Sequence, residues 1–305
     1  MHNSEYIQSF MKRYRYPEKA IDTFTAIEKR LDAEPDFAAA FDPLVDAYGK
    51  TDCPDRRGVL DKTEELARSR GINEYSMLFV LLMNASRELL ENYRAAGLDE
   101  AVFWDTMDDL RCKLLECLAC KEVAGTFVAG WFGGFYDMRM FKYGRFEFHL
   151  TDYGFDIPFT TKCGVHLKNG DVMVNMHIPS TGVPLTDDVR LDSYRRAYKA
   201  FKQYFPDKPF VFCCSSWLLY PEHRQFLPEK SNILRFMSDF EIVSWEEGDH
   251  FGDAWRIFGK YAELPPEQLP TDTSLRRAYA DRLASGKPTG NGFGVFVFDG
   301  ENIVR

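Results

Sequence analysis

Val172-Met173-Val174-Asn175-Met176-His177-Ile178, the loop Pro179-Ser180-Thr181-Gly182-Val183-Pro184-Leu185 and, after one helical stretch, Phe210-Val211-Phe212-Cys213-Cys214 together decide the fold. The first block reads as a strand in which Asn175 and His177 share one face, because side chains alternate across a strand. The stretch that follows the loop carries Leu191, Tyr194, Tyr198, Phe201 and Phe205 on one side of a helix. Thr186 stands at its cap position, and Asp187 and Asp188 lie in the first turn, where acids suit the helix dipole. The last block is apolar throughout, as a central strand covered on both faces requires. Strand, crossover helix and strand predict a right-handed βαβ unit.

Working outward, residues 144–150 alternate: Phe146, Phe148 and Leu150 face one way, and Arg145, Glu147 and His149 the other. Val165 and Leu167, followed by Lys168-Asn169-Gly170, predict a hairpin with the strand at 172–178, since Asn-Gly accepts the positive φ of a type I′ turn. Downstream, short helices over 217–237, a strand over 240–245, a helix over 274–283 and a strand over 293–298 complete a mixed sheet with helices. Upstream, to about Val123, apolar residues recur every three or four positions. Pro17 opens a helix, Pro35 separates it from one carrying Phe37, Phe41, Leu44 and Tyr48, and Asp99 caps a later one. Glycines at 125, 130, 133 and 134 interrupt that period, which sets the expected boundary: a helical N-terminal domain over 1–124 and an α/β (α+β) domain over 125–305.

Composition excludes several classes. A formal net charge of -9 disfavours nucleic acid and anionic lipid, and the longest apolar run, residues 77–83, is far short of a membrane span. The seven cysteines lack the spacing of a disulfide framework, so free thiols and a cytoplasmic location are expected. Cys117 and Cys120 form a lone C-x-x-C on a helical stripe with no second pair, and no metal is expected. The sequence leaves the oligomeric state open.

Gly144-Arg145-Phe146-Glu147-Phe148, the run from His177-Ile178-Pro179 to Pro184-Leu185, Cys214-Ser215-Ser216-Trp217-Leu218-Leu219, and Leu227-Pro228-Glu229-Lys230-Ser231-Asn232-Ile233 occur in order across residues 144–233. In these stretches the chain resembles a bacterial family of acyltransferases that join a helical N-terminal domain to a GNAT-like C-terminal domain. The resemblance implies a GNAT fold and CoA or acyl-CoA as co-substrate.

On that reading Ile178, Ser180 and Gly182 offer backbone N–H groups to the CoA thioester and pyrophosphate, and Arg195, Arg196 and Lys199 supply a basic face for its phosphates. His177, at the end of its strand, and Glu147 are the candidate bases. An imidazole titrates near neutrality, whereas a carboxylate between Arg145 and His149 also reads as a solvated sheet face. Asn175, Ser216 and Asn232 are candidate contacts to a small-molecule amine or hydroxyl acceptor, with Ser231-Asn232 also readable as a helix cap. The loop holds one glycine, where related enzymes have a glycine-rich motif, and Asp187 and Asp188 are poor neighbours for a phosphate. This favours the alternative of a ligand-binding or partner-binding protein that keeps the shape without the chemistry. A thiol hydrolase built on Cys214 would need an electropositive setting, so Cys214 is expected to be structural. Gly290-Asn291-Gly292-Phe293-Gly294 leads into a strand rather than a helix and reads as a flexible turn.

Overall fold

The computed structural model describes residues 1–248 and 250–305. They form two compact units, Met1–Phe141 and Lys142–Arg305.

The first unit is a helical bundle of α1 (Ser4–Arg13), α2 (Glu18–Ala33), α3 (Pro35–Gly49), α4 (Arg56–Ser69), α5 (Glu74–Ala95) and α6 (Glu100–Lys121), closed by the single turn α7 (Gly133–Tyr136). Pro17 sits at the N-cap of α2, Pro35 begins α3, and the Asp99 carboxylate accepts from Ala101 N at the start of α6. Residues 77–83 are buried on all sides, which makes α5 the central helix rather than a surface one. Its Phe79 stacks on Phe24 of α2 at 4.9 Å. Helices α1 and α4 bury Ile7, Phe10 and Met11, and Val59, Leu60 and Ala67, and Asn3 and Asp55 cap them through Tyr6 N and Gly58 N, each at 2.8 Å. The glycine-interrupted stretch after α6 packs on this bundle. Thr126 N donates to Tyr75 O, Ser76 Oγ donates to Ala124 O, and Phe132, Phe135 and Tyr136 enter the core. The two units therefore part between Phe141 and Lys142, beyond the glycines that interrupt the helical period.

The second unit is built on β1 (Phe141–Tyr143), β2 (Phe146–Asp152), β3 (Phe159–Thr160), β4 (His166–Leu167), β5 (Val172–His177), α8 (Asp187–Phe201), β6 (Phe210–Ser216), α9 (His223–Phe226), α10 (Asn232–Met237), β7 (Glu241–Gly248), α11 (Ala254–Phe258), α12 (Ser274–Ala284), β8 (Thr289–Phe298) and β9 (Ile303–Val304). Sheet order is β1-β2-β5-β6-β8-β7, with β9 on β8. β5 and β6 run parallel, joined across α8, which is the expected βαβ unit. The fold is thus a helical unit followed by a mixed-sheet α+β unit.

Two local expectations fail. The strand at 172–178 does not pair with Val165 and Leu167. β5 pairs with β2, from Glu147↔His177 to Asp152↔Val172, while β4 pairs with β3 in a separate two-stranded sheet. The turn at 168–171 does form, and Gly170 has a φ of 86°, yet Tyr153 exchanges backbone bonds with Gly170 and Asp171, so the turn delivers the chain to β2. A seven-residue partner offers β5 a longer ladder than the two residues of β4. The glycine-rich run at 290–294 is not a turn but the interior of β8. There a Cβ on Gly292 would come within 2.2 Å of Leu219 O, so only glycine lets the two backbones approach.

The sheet has two contrasting faces. Phe146, Phe148, Phe212 and Phe296 gather around Tyr194 of α8, with ring centroids 4.9–5.8 Å from it for Phe146, Phe212 and Phe296. The opposite face carries Met173, Val211, Cys213, Val295 and Val297 together with the polar side chains of β2 and β5. Among the described residues no helix is long and apolar enough to cross a membrane.

Candidate functional site

β5 extends to His177 and β6 to Ser216, but their parallel ladder covers only Val174↔Phe212 and Asn175↔Cys213. Past that point β6 continues along β8, from Cys214↔Gly294 to Ser216↔Gly292, and β5 continues along β2 to Glu147↔His177. The two central strands thus part company at their C-terminal ends, the position at which open sheets with crossover helices receive ligands.

His177 is the last residue of β5, and directly across the ladder stands Glu147, only 1% exposed. The two candidate bases are therefore neighbours across the ladder. Glu147 is not on a solvated face, because alternation tells which residues share a face but not what covers it. Asn175, one step down the same face, links the local histidines. Its Nδ2 donates to His149 Nε2 at 2.9 Å and to His177 Nε2 at 3.2 Å, and its Oδ1 faces Cys213 Sγ at 3.7 Å. His149 Nδ1 donates to Leu150 O at 2.9 Å, and the two imidazoles lie nearly parallel with centroids 5.0 Å apart.

The loop after β5 is tied down by two arginines. Arg145 donates to Val183 O at 2.9 Å and to Pro179 O at 2.6 Å. Arg190, in the first turns of α8, donates to Leu185 O at 2.7 Å while forming a two-toothed pair with Asp239. Three loop carbonyls are thereby turned to guanidinium groups. Arg145 and Arg190 had no assigned role in the sequence reading. Their signal was an arginine on either side of a Pro/Gly loop, which periodicity alone does not weigh. Gly182 has a φ of 78°, a backbone conformation that favours glycine, and a Cβ there would meet nothing within 4 Å. The loop therefore needs glycine for its backbone, and the space over it is open.

At the start of α8 the two acids are already matched. Asp187 pairs with Arg190 at 3.1 Å. The Asp188 carboxyl is held below the usual carboxylate range by the Thr186 hydroxyl first, then by the N–H groups of Val189 and of Asp188 itself. Thr186 makes no side-chain cap bond, so Asp188 takes over that role.

The remaining candidates lie elsewhere. Arg195 pairs with Glu301 at 3.0 Å and Arg196 with Asp192 at 2.8 Å, while Lys199 is exposed near the far end of α8. At 1.5 Å per residue they stand about 12 Å or more along the axis from the helix start. Ser216 Oγ accepts from Leu218 N at 3.1 Å, so it caps the 3₁₀ turn Trp217–Leu219. Asn232 is exposed on α10, which Ser231 caps through Ile233 N. Cys214 is buried on the aromatic face, and burial pushes its thiol up to about 12, well away from thiolate chemistry at neutral pH.

Residues 140–296 match the family of GNAT-like C-terminal domains, and residues 5–138 match N-acyltransferase N-terminal domains. Among solved structures, the chain is similar to an acyltransferase in complex with decanoyl-CoA and teicoplanin, at 20% identity over 97% of this chain and 88% of that one, with a TM-score of 0.76. It is likewise similar to a mutant acyltransferase in complex with octanoyl-CoA, again at 20% identity over 97% and 88% of the two chains, with a TM-score of 0.74. No curated protein matches the chain. With more than half its length matched by one domain family, and with the parting of β5 and β6 that the fold displays, the chain belongs to the family of proteins with a GNAT-like C-terminal domain.

Proposed function

We propose that this protein transfers an acyl group from an acyl-CoA to the amine or hydroxyl of a small-molecule acceptor, at the place where β5 and β6 part. The observation that carries the reading is the conjunction there of a histidine whose Nε2 faces the Asn175 amide at 3.2 Å, a buried carboxylate opposite it, and an open loop leading into the N-terminus of a 15-residue helix.

CoA fits these residues as follows. Backbone N–H groups around Gly182 and the first turn of α8 receive the pyrophosphate, because no side chain stands over the glycine and a helix start favours anions. Asp187 does not oppose it, being neutralised by Arg190. Asp188 lies on N–H groups that the pyrophosphate would use, and it swings aside into solvent when CoA arrives. The N–H groups of Ile178 and Ser180 polarise the thioester carbonyl. The acceptor N–H or O–H attacks the carbonyl carbon, and its proton passes to His177 Nε2. The Asn175 N–H yields that position readily, since at 3.2 Å it is the longer of the two bonds the amide makes. When the C–S bond breaks, the imidazolium returns the proton to the departing CoA sulfur. Glu147 stabilises the transient imidazolium from across the ladder. The free state of the seven cysteines and the net charge of -9 agree with a cytoplasmic enzyme acting on a small molecule.

Because Asp188 covers the helix start, a ligand-binding role without turnover is the second reading. Melting curves with CoA, octanoyl-CoA and decanoyl-CoA, alongside release of free CoA thiol in the presence of amine and hydroxyl acceptors, separate the two. A ligand at a hundred times its Kd adds about 2.7 kcal/mol and raises Tm by several degrees. We expect such a shift in both the native protein and His177→Ala, with thiol release reduced about 10²- to 10⁴-fold in the variant. A shift without turnover in the native protein moves the balance to the binding role, and no shift with any CoA species removes the site altogether.

A further inference from the structure

We propose that Asn175 is a positioning residue that sets the tautomer of His177, and that His149 in turn sets which way the Asn175 amide points. The proposal rests on the acyl-transfer reading for its importance but not for its geometry. It reassigns a side chain that the sequence alone offered as an acceptor contact.

The row of hydrogen bonds starts at a backbone carbonyl. Leu150 O can only accept, so the His149 nitrogen 2.9 Å away, Nδ1, must carry a proton. A neutral imidazole then has its lone pair at Nε2, and the group facing that lone pair at 2.9 Å must be a donor. This assigns the Asn175 amide: Nδ2 lies toward His149 and Oδ1 toward Cys213, whose thiol is a donor kept protonated by burial. The second proton on Nδ2 points to His177 Nε2 at 3.2 Å, so His177 also holds its proton on Nδ1 and its lone pair on Nε2. One carbonyl therefore dictates, through two side chains, which nitrogen of His177 can take a proton. Flipping the amide would set Oδ1 against the His149 lone pair and leave a donor turned toward the Cys213 S–H. Two mismatches would replace two bonds, and at this partly buried place each unmatched polar group costs free energy. The near-parallel packing of the rings at 5.0 Å holds His177 in place while its tautomer is set.

The test reads tautomers directly and so does not depend on turnover. In ¹⁵N-edited spectra of the histidine side chains of the full chain near pH 7.5, we expect His149 and His177 both as the Nδ1–H form. In Asn175→Ala, His177 should shift toward the Nε2–H form while His149 stays as it was. In Asn175→Asp, which keeps the shape but can only accept, both rings should carry a proton on Nε2. With an active acyl-CoA and acceptor pair, both variants should lose about tenfold or more in kcat, with KM for either substrate changed less than about threefold. Melting temperatures within a few degrees of native show that the variants are folded. If His177 is found as Nε2–H in the native protein, or is unmoved by Asn175→Ala, the relay is wrong even if the enzyme transfers acyl groups. If the tautomers behave as stated but no acyl-CoA turns over, the relay stands and the acyl-transfer reading falls. A raised KM for the acceptor with kcat retained would return Asn175 to the role of substrate contact and overturn the proposal.

Discussion

The two faces of the central sheet are made by the same strands, one residue out of step, and they differ in kind. On the face under α8, rings pack on rings: Phe212 lies within 5.0–5.8 Å of Phe148, Phe210, Tyr194, Phe296 and Phe298. On the other face, β2 and β5 present Glu147, His149, Asn175 and His177, the last three of which are joined by directional bonds between named atoms. Ring packing is tolerant of direction and scales with buried area, so it stabilises the fold. A hydrogen-bonded network adds little net stability but fixes orientation, which suits proton transfer. The α8 face should therefore respond to mutation through stability, and the β2–β5 polar face through activity.

The largest expected effect breaks the aromatic face. Phe212→Ala removes a fully buried ring from the middle of five others and should cost about 3–5 kcal/mol in denaturant unfolding. His177→Gln on the other face should cost less than about 1 kcal/mol in the same measurement, since the ring is only partly buried. Equal losses for the two variants would erase the distinction between the faces.

A third histidine sharpens the comparison because it lives among rings rather than polar groups. His223 is fully buried beside Trp217 and Tyr279, and the Tyr279 hydroxyl bonds its Nε2 at 2.6 Å. Burial pushes its pKa from 6.5 down to about 4. The folded-state pKa is lowered for a base, so between about pH 6.5 and pH 4 the unfolded chain holds a proton that the folded chain does not. Stability is complete above the unfolded value and falls as pH drops through that window. The loss should approach about 3 kcal/mol near pH 4. Unfolding curves at pH 7 and pH 4.5 should show a drop that His223→Gln reduces by about 2 kcal/mol. An unchanged drop in the variant would assign the acid sensitivity to other groups.

Periodicity made the aromatic face readable because Phe146, Phe148, Phe212 and the Tyr194 stripe each declare a buried side in their own spacing. It also found the βαβ unit and the face shared by Asn175 and His177. Pairing was harder: Val165 and Leu167 looked like the hairpin partner of β5 because they adjoin an Asn-Gly turn, whereas the longer ladder with β2 prevails. The site was least legible where roles depend on distance along an element or on partners far away in sequence. Arg195, Arg196 and Lys199 share a helix with the loop but lie turns away from it, and Arg145 reaches Pro179 and Val183 across more than thirty residues. Glu147 looked solvated because its neighbours in sequence are polar, and only the fold shows it buried opposite His177.

The smallest expected effect is the absence of a reaction, and adjacent residues report it for both faces at once. Cys213 points to the polar face and Cys214 to the aromatic one, and they are 1% and 0% exposed. Burial pushes Cys214 up to about 12 and raises Cys213 well above its ordinary value, in the latter case with a smaller contribution from Cys214. A free thiol with a pKa of about 8.5 is a few per cent thiolate near pH 7.4, so a pKa of about 12 lowers the reactive fraction by roughly three orders of magnitude. In native protein treated with iodoacetamide at that pH, Cys53, Cys120 and Cys163, which are partly exposed, should therefore be labelled while Cys213 and Cys214 are not. Peptide mass mapping over time reads all of them in one experiment. Early labelling of Cys213 alone would mean that the polar face opens in solution far enough to admit a small molecule beside Asn175, which would enlarge the acceptor site toward β6. Early labelling of Cys214 would mean instead that the ring-packed face breathes, and it would restore the thiol as a candidate nucleophile.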